Sequence, residues 1–135
     1  MSGQTTLCAR TVCANAGRLN DLLLENSGVG SNTLLELRNT NNDVNGPLIK
    51  MFKQPQTGEI GNDDECGVIQ FHGYDSAFND QQYAEIVANV NSNTSGAETG
   101  QLEFKVAEND GTNTTGLSIT GSTTDGQVDV TIGAG

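Results

Sequence analysis

The run Gln101-Leu102-Glu103-Phe104-Lys105-Val106 alternates polar and apolar residues without a break. A period of two puts Leu102, Phe104 and Val106 on one face of an extended chain. On a helix the same residues would be scattered around the circumference, so this stretch folds as a half-buried strand. The pattern recurs along the chain. Ala84, Ile86, Ala88 and Val90 share a face, as do Val128, Val130 and Ile132, and Leu117 and Ile119 repeat the spacing. Val68 to Tyr74 reads as a further strand, Leu35 and Leu37 fit another, and Pro47 would start one running through Leu48 to Phe52.

Between these runs lie the residues that build turns. Asn45-Gly46-Pro47, Asn109-Asp110-Gly111 and Asp125-Gly126 supply backbones that tolerate positive φ at low cost. Residues 54–64 and 92–100 are longer polar loops. About seven or eight strands, roughly 10–15 residues apart, define an all-β fold of short antiparallel strands, a small sandwich or β-prism. A helix is compatible only with residues 14–25, where Leu19, Leu22 and Leu23 have helical spacing. Leu22 to Asn26 fits a strand equally well.

Composition then sets a problem. Of 135 residues, 34 % are hydrophobic and 4 % aromatic, with no Trp and 17 Gly. A lone domain of this length buries a modest share of its surface and needs more core than that. Each strand offers one apolar face of small or medium side chains. The expectation is a core completed by association, with equivalent sheets facing a common axis.

Six basic residues against 17 acidic give a formal charge of −11. The basic residues are scattered singly, so counterion release on nucleic acid has no footprint, and an anionic membrane would repel the chain. No apolar run is long enough to insert in a bilayer, and MSGQTTLCAR has no basic segment followed by an apolar one. The cysteines Cys8, Cys13 and Cys66 are odd in number and lack C-x-x-C spacing. They read as free thilols of a protein made in a reducing cytoplasm, with a Cys8–Cys13 or intermolecular bridge as the alternative.

The search for chemistry is short. His72 is the only histidine and lies within a strand, where a surface or interface role outweighs a catalytic one. One His without paired Cys makes no zinc site. Asn41, Asp43, Asn45 and Gly46 imitate a calcium loop, but the twelfth position is Phe52 where a bidentate Glu is needed, so the segment reads as a turn. The acidic cluster Asn62-Asp63-Asp64-Glu65 reads as a solvated loop. Glu85 and Glu103 fall on outward positions of separate strands, where they read as surface charges that block edge-to-edge aggregation. Gly28-Val29-Gly30 is a turn, not a dinucleotide fingerprint. Asn93-Thr94-Ser95 and Asn113-Thr114-Thr115 match the glycosylation acceptor pattern, which carries little weight without a secretory signal. No catalytic residue, metal ligand or cofactor is expected, and the chain is read as not an enzyme. Around the loop 73–83, Tyr74, Phe78 and Tyr83 can stack on sugar rings, with Asp75 and Asn79 as polar partners. The competing reading has Phe78 and Tyr83 closing the hairpin.

The order of these elements resembles a known module, opening with Leu22-Leu23-Leu24-Glu25-Asn26 and Pro47-Leu48-Ile49-Lys50-Met51-Phe52-Lys53. Asn62-Asp63-Asp64-Glu65-Cys66-Gly67-Val68-Ile69-Gln70-Phe71-His72-Gly73-Tyr74-Asp75 is followed by Tyr83-Ala84-Glu85-Ile86, then by Gly96-Ala97-Glu98-Thr99-Gly100-Gln101-Leu102-Glu103-Phe104-Lys105-Val106. Leu117 to Gly121 and Val130 to Gly133 close the series. The succession is similar to a β-rich module of tail-fibre and other virion structural proteins of tailed bacteriophages, notably those of marine and cyanobacterial hosts. It covers about residues 22–133. The resemblance implies a β-rich, usually trimeric, virion-surface appendage without catalytic residues.

The resulting expectations are specific. Residues 1–21 form a docking segment for other virion proteins, and residues 22–135 form the β-rich domain, completed by homotrimerisation. The protein is a short fibre or tail-fibre-like module on the virion surface, made in the host cytoplasm. A capsid decoration protein, or a module binding a host receptor or surface glycan, is the alternative.

Overall fold

The computed structural model describes residues 35–133. Chain contacts divide the molecule into two units, Met1–Leu48 and Ile49–Gly135. The expected docking segment 1–21, the helix-or-strand stretch 14–26, Gly28-Val29-Gly30, Cys8 and Cys13 lie outside the described residues.

The second unit holds five strands: β1 (Glu65–Tyr74), β2 (Asp80–Ser92), β3 (Thr99–Ala107), β4 (Asn113–Gly121) and β5 (Val128–Ile132). They form one sheet in chain order, and every neighbouring pair is antiparallel. The all-β expectation holds, and among the described residues there is no helix. Turn chemistry sets the meander. Gly111 (φ +85°) turns β3 into β4, and Gly126 (φ +76°) turns β4 into β5, both in the left-handed region that glycine enters without strain. These are two of the three turns expected from sequence.

The third, Asn45-Gly46-Pro47, turns no hairpin. Residues 35–48 are irregular and exposed, held by side chains on their own backbone. Asn39 Nδ2 donates to the Asn45 carbonyl (2.7 Å), and the Asn41 and Asn45 amides donate to the side chains of Asn39 and Asp43. The strands expected at Leu35–Leu37 and at 47–52 form no ladder, and five strands stand among the described residues where about seven or eight were expected across the chain. Alternation gives a segment the faces of a strand, but a strand exists only when its N–H and C=O groups find a partner.

The register sorts the side chains cleanly. One cross-strand row runs Ile69, Ile86, Phe104, Leu117, Ile132, and the next runs Gly67, Ala88, Leu102, Ile119, Val130. Phe71, Ala84 and Val106 extend the same face. The opposite face reads Val68, Val87, Glu103, Ser118, Thr131 along one row and Gln70, Glu85, Lys105, Thr115 along another.

Four register shifts add a residue to one strand of a pair: Cys66 in β1, Tyr83 and Asn91 in β2, and Gly116 in β4. Such bulges bend and twist the sheet and re-aim single side chains.

Candidate functional site

Three regions come forward: the loop between β1 and β2, the polar face and the apolar face.

The loop brings Asp75 and Asn79 together, as the sequence suggested. Both are used in building the turn. Asp75 Oδ1 accepts the Ala77 and Asn79 amides, each at 2.8 Å, and Oδ2 accepts Asn79 Nδ2 at 2.9 Å. The Asn79 side chain, followed by its backbone amide, holds the Asp75 carboxyl below the usual carboxylate range. Phe78 sits at φ +64° and is 84 % exposed, and Tyr74 is also open to solvent. A bulky residue at positive φ is uncommon and costs free energy that the Asp75 turn offsets. Tyr83 is placed differently. As the extra residue of a bulge it lies across Gly73, and a Cβ there would meet the ring at 3.3 Å. Tyr83 therefore leans on the hairpin, whereas Phe78 does not.

His72 Nδ1 lies 2.9 Å from Asp80 Oδ1 at the same end of the sheet, and both side chains are exposed. Among the described residues no three His, Cys, Asp or Glu side chains converge on a point where a metal could be held. In the acidic stretch 62–65, Asp64 Oδ2 accepts the Gly61 amide (2.9 Å) and Oδ1 pairs with Lys53 Nζ (3.2 Å). The Gly61 amide and then Lys53 lower its pKa. Of the two glycosylation-like asparagines, Asn93 donates its amide to the Ile60 carbonyl at 2.6 Å.

The polar face is a connected network. Glu85 Oε2 accepts from Gln70 Nε2 and Gln82 Nε2, both at 2.9 Å. Lys105 Nζ stands 3.8 Å from Glu85 and 3.3 Å from Glu103. Glu103 also accepts from Asn89 Nδ2 and Thr115 Oγ1. The Gln70 hydrogen bond, ahead of Gln82 and the charges of Lys105 and His72, lowers the Glu85 pKa. The two glutamates are thus more than surface charges. Their side chains are only 13 % and 17 % exposed, because partners on four strands close over them. Val87, at the centre of this face between Val68 and Glu103, is 1 % exposed and is the one hydrophobic side chain fully enclosed among the described residues.

The apolar face is the opposite case. Ile69, Phe71, Val106, Val128, Val130 and Ile132 are all exposed, Ile132 to 80 %. One corner is partly covered. Met51 lies over Gly67 so closely that a Cβ there would come 2.5 Å from its Sδ and 2.9 Å from its Cβ. Met51 borders an open depression of about 210 Å³ floored by Ile69, Ile86, Ala88 and Leu102. Beyond this corner no strand of the described chain packs over the face. Soluble monomers rarely expose a contiguous apolar area spanning a whole sheet, and such areas mark interaction surfaces. The alternation itself announced this face. What sequence alone did not reveal is that no second sheet of the described chain covers it.

Comparison with known proteins identifies no relative: no family model, curated protein or solved structure matches this chain.

Proposed function

We propose that the chain is a non-enzymatic structural protein of a tailed-phage particle, a short-fibre or tail-fibre-like surface appendage assembled as a homotrimer. The observation that carries this reading is the apolar face: five strands wide, exposed along its outer residues and only half-buried at its centre, in a sheet with one enclosed hydrophobic side chain among the described residues. Three such faces turned toward one axis make a prism with a shared core. Its middle strand is β3, whose Leu102, Phe104 and Val106 would lie nearest the axis. Burial of each medium-sized side chain contributes about 1.5–3 kcal/mol, so a dozen such residues supply the core that one chain lacks. The phage assignment rests on the ordered succession of motifs between residues 22 and 133. Copies repeated over a particle make weak contacts count through avidity.

Light scattering on the purified protein tests the assembly. A species of about 42 kDa, three times 14.1 kDa, supports the trimer. A well-folded monomer of 14.1 kDa sinks it and leaves a decoration domain held by a partner.

Exposed Tyr74 and Phe78 at the β1–β2 end favour a second reading, contact with a host receptor or surface glycan. If it holds, Tyr74→Ala/Phe78→Ala abolishes binding to host cells or glycan arrays and leaves the oligomer mass unchanged. Equal binding by wild type and variant excludes these two rings as the contact.

A further inference from the structure

We propose that Ile49–Lys53 of one copy pairs with the free edge of β5 in the next, joining the sheets head to tail. This rests on the oligomeric reading above and adds which parts of the chain meet. The segment Leu48-Ile49-Lys50-Met51-Phe52-Lys53 is mostly apolar, carries Ile49 and Phe52 of high β-propensity, and follows a proline that suits a strand start. Yet Ile49–Lys53 makes no backbone hydrogen bond to any described residue. Its side chains are exposed as well, Ile49 and Phe52 most of all. A segment with strand chemistry and no strand partner points to a partner on another chain.

The sheet supplies one. β5 closes the order β1-β2-β3-β4-β5, so among the described residues one of its sides is unpaired. Which groups face outward follows from the register. Gly133 N donates to Gly116 O, and Ser122 N donates to Gln127 O. Residues 127 and 133 therefore aim their backbone groups at β4, and by alternation so do Asp129 and Thr131. The N–H and C=O groups of Val128, Val130 and Ile132 point away from the sheet and meet no backbone partner among the described residues.

Faces and charges agree with the joint. Met51 lies over Gly67 on the apolar face. In a strand, Ile49 shares that face and Lys50 takes the other. In a joined sheet the apolar face then runs on from Val128, Val130 and Ile132 to Ile49 and Met51, and Lys50 falls on the same face as Asp129. No basic residue follows Lys105, while Asp125 and Asp129 flank and occupy β5. Lys50 is one of only six basic residues, whereas Lys53 pairs with Asp64 of its own chain and, at the end of the segment, falls on the face opposite Lys50. A lysine meeting an acidic edge fixes the partner more than it adds affinity. Each copy offers one segment and one different edge, so the contact is heterologous, and it is satisfied completely only when a ring closes.

The decisive variant is Val130→Pro. It removes an outward N–H and leaves the Asp129 and Thr131 bonds to β4 intact. Association at least about 100-fold weaker, with the far-UV β signature kept, is the expected result. A trimer of unchanged dissociation midpoint overturns the joint and leaves the trimer reading standing. A wild type that is already monomeric overturns both. As an independent readout, chains with Cys8, Cys13 and Cys66 changed to Ser carry either Lys50→Cys or one of Asp129→Cys and Thr131→Cys. Refolded together and oxidised, they should give disulfides between unlike chains. Like-with-like disulfides alone, or none in an assembled trimer, overturn the joint.

Discussion

The two faces of this sheet are built from the same five strands, yet they are finished to different degrees. On the polar face Glu85, Glu103, Lys105, Gln70, Gln82, Asn89 and Thr115 bond to one another, and beneath them Val87 is sealed. On the apolar face larger side chains lie open. Polar groups find partners on their own sheet, because neighbouring strands stand about 4.8 Å apart and long side chains reach across. Apolar groups gain only by leaving water, which needs a second layer. A single sheet can therefore complete its polar face alone and cannot complete its apolar one.

The sharpest way to break this contrast is to charge the open face. Phe104→Glu sits at the centre of the row Ile69–Ile86–Phe104–Leu117–Ile132. If the face is a shared core, an unpaired carboxylate there costs more than about 3 kcal/mol and abolishes the oligomer in light scattering. If the face is solvated in the working protein, mass and melting temperature hardly move. Next in size is a matched pair. Val87→Ala deletes enclosed methyl groups and should cost about 2 kcal/mol in guanidinium unfolding at any protein concentration. Val130→Ala should match that cost only where chains associate, so its penalty grows with concentration.

Gly67→Ala comes next. The new Cβ would press on Met51, and displacing it should cost about 1–2 kcal/mol. Met51→Ala in the same chain should restore part of the loss, because it removes the sulfur but keeps the crowded Met51 Cβ. Full insensitivity of both variants would mean that the 49–53 segment is not seated on the sheet.

The contrast also explains what was legible in advance. Strands β1 to β5 follow from alternation and from the glycines at 111 and 126, which are local properties. The face composition follows too, since Leu102, Phe104 and Val106 cannot share a side with Glu103 and Lys105. That 47–52 stays unpaired among the described residues was not legible, because strand-forming residues after a proline say nothing of whether a partner is present. The burial of Glu85 and Glu103 was missed for a related reason. Their partners come from β1, β2, β3 and β4, and only the register brings Gln70 and Thr115 within reach. In the loop, the closeness of Asp75 and Asn79 was readable from their spacing. Their engagement in the turn instead of with a ligand was not, and neither was the bulge that lays Tyr83 on Gly73.

The smallest effect separates the polar face from a scatter of surface charges. Glu85 has its pKa lowered first by the hydrogen bond from Gln70, then by Gln82 and the nearby Lys105 and His72. A carboxylate with a lower pKa folded than unfolded stabilises above its unfolded value, about 4.3, and that contribution fades as pH falls through the folded value. Comparing wild type with Glu85→Gln therefore isolates it. The stability gap should stay constant from pH 7 to about 5, at below about 1 kcal/mol, and narrow under about pH 4.3. Lys105→Met should shrink the same gap at neutral pH, because Glu85 then faces Glu103 without the cation between them. A gap that ignores both pH and Lys105 would make the network decorative and leave Val87 enclosed by packing alone.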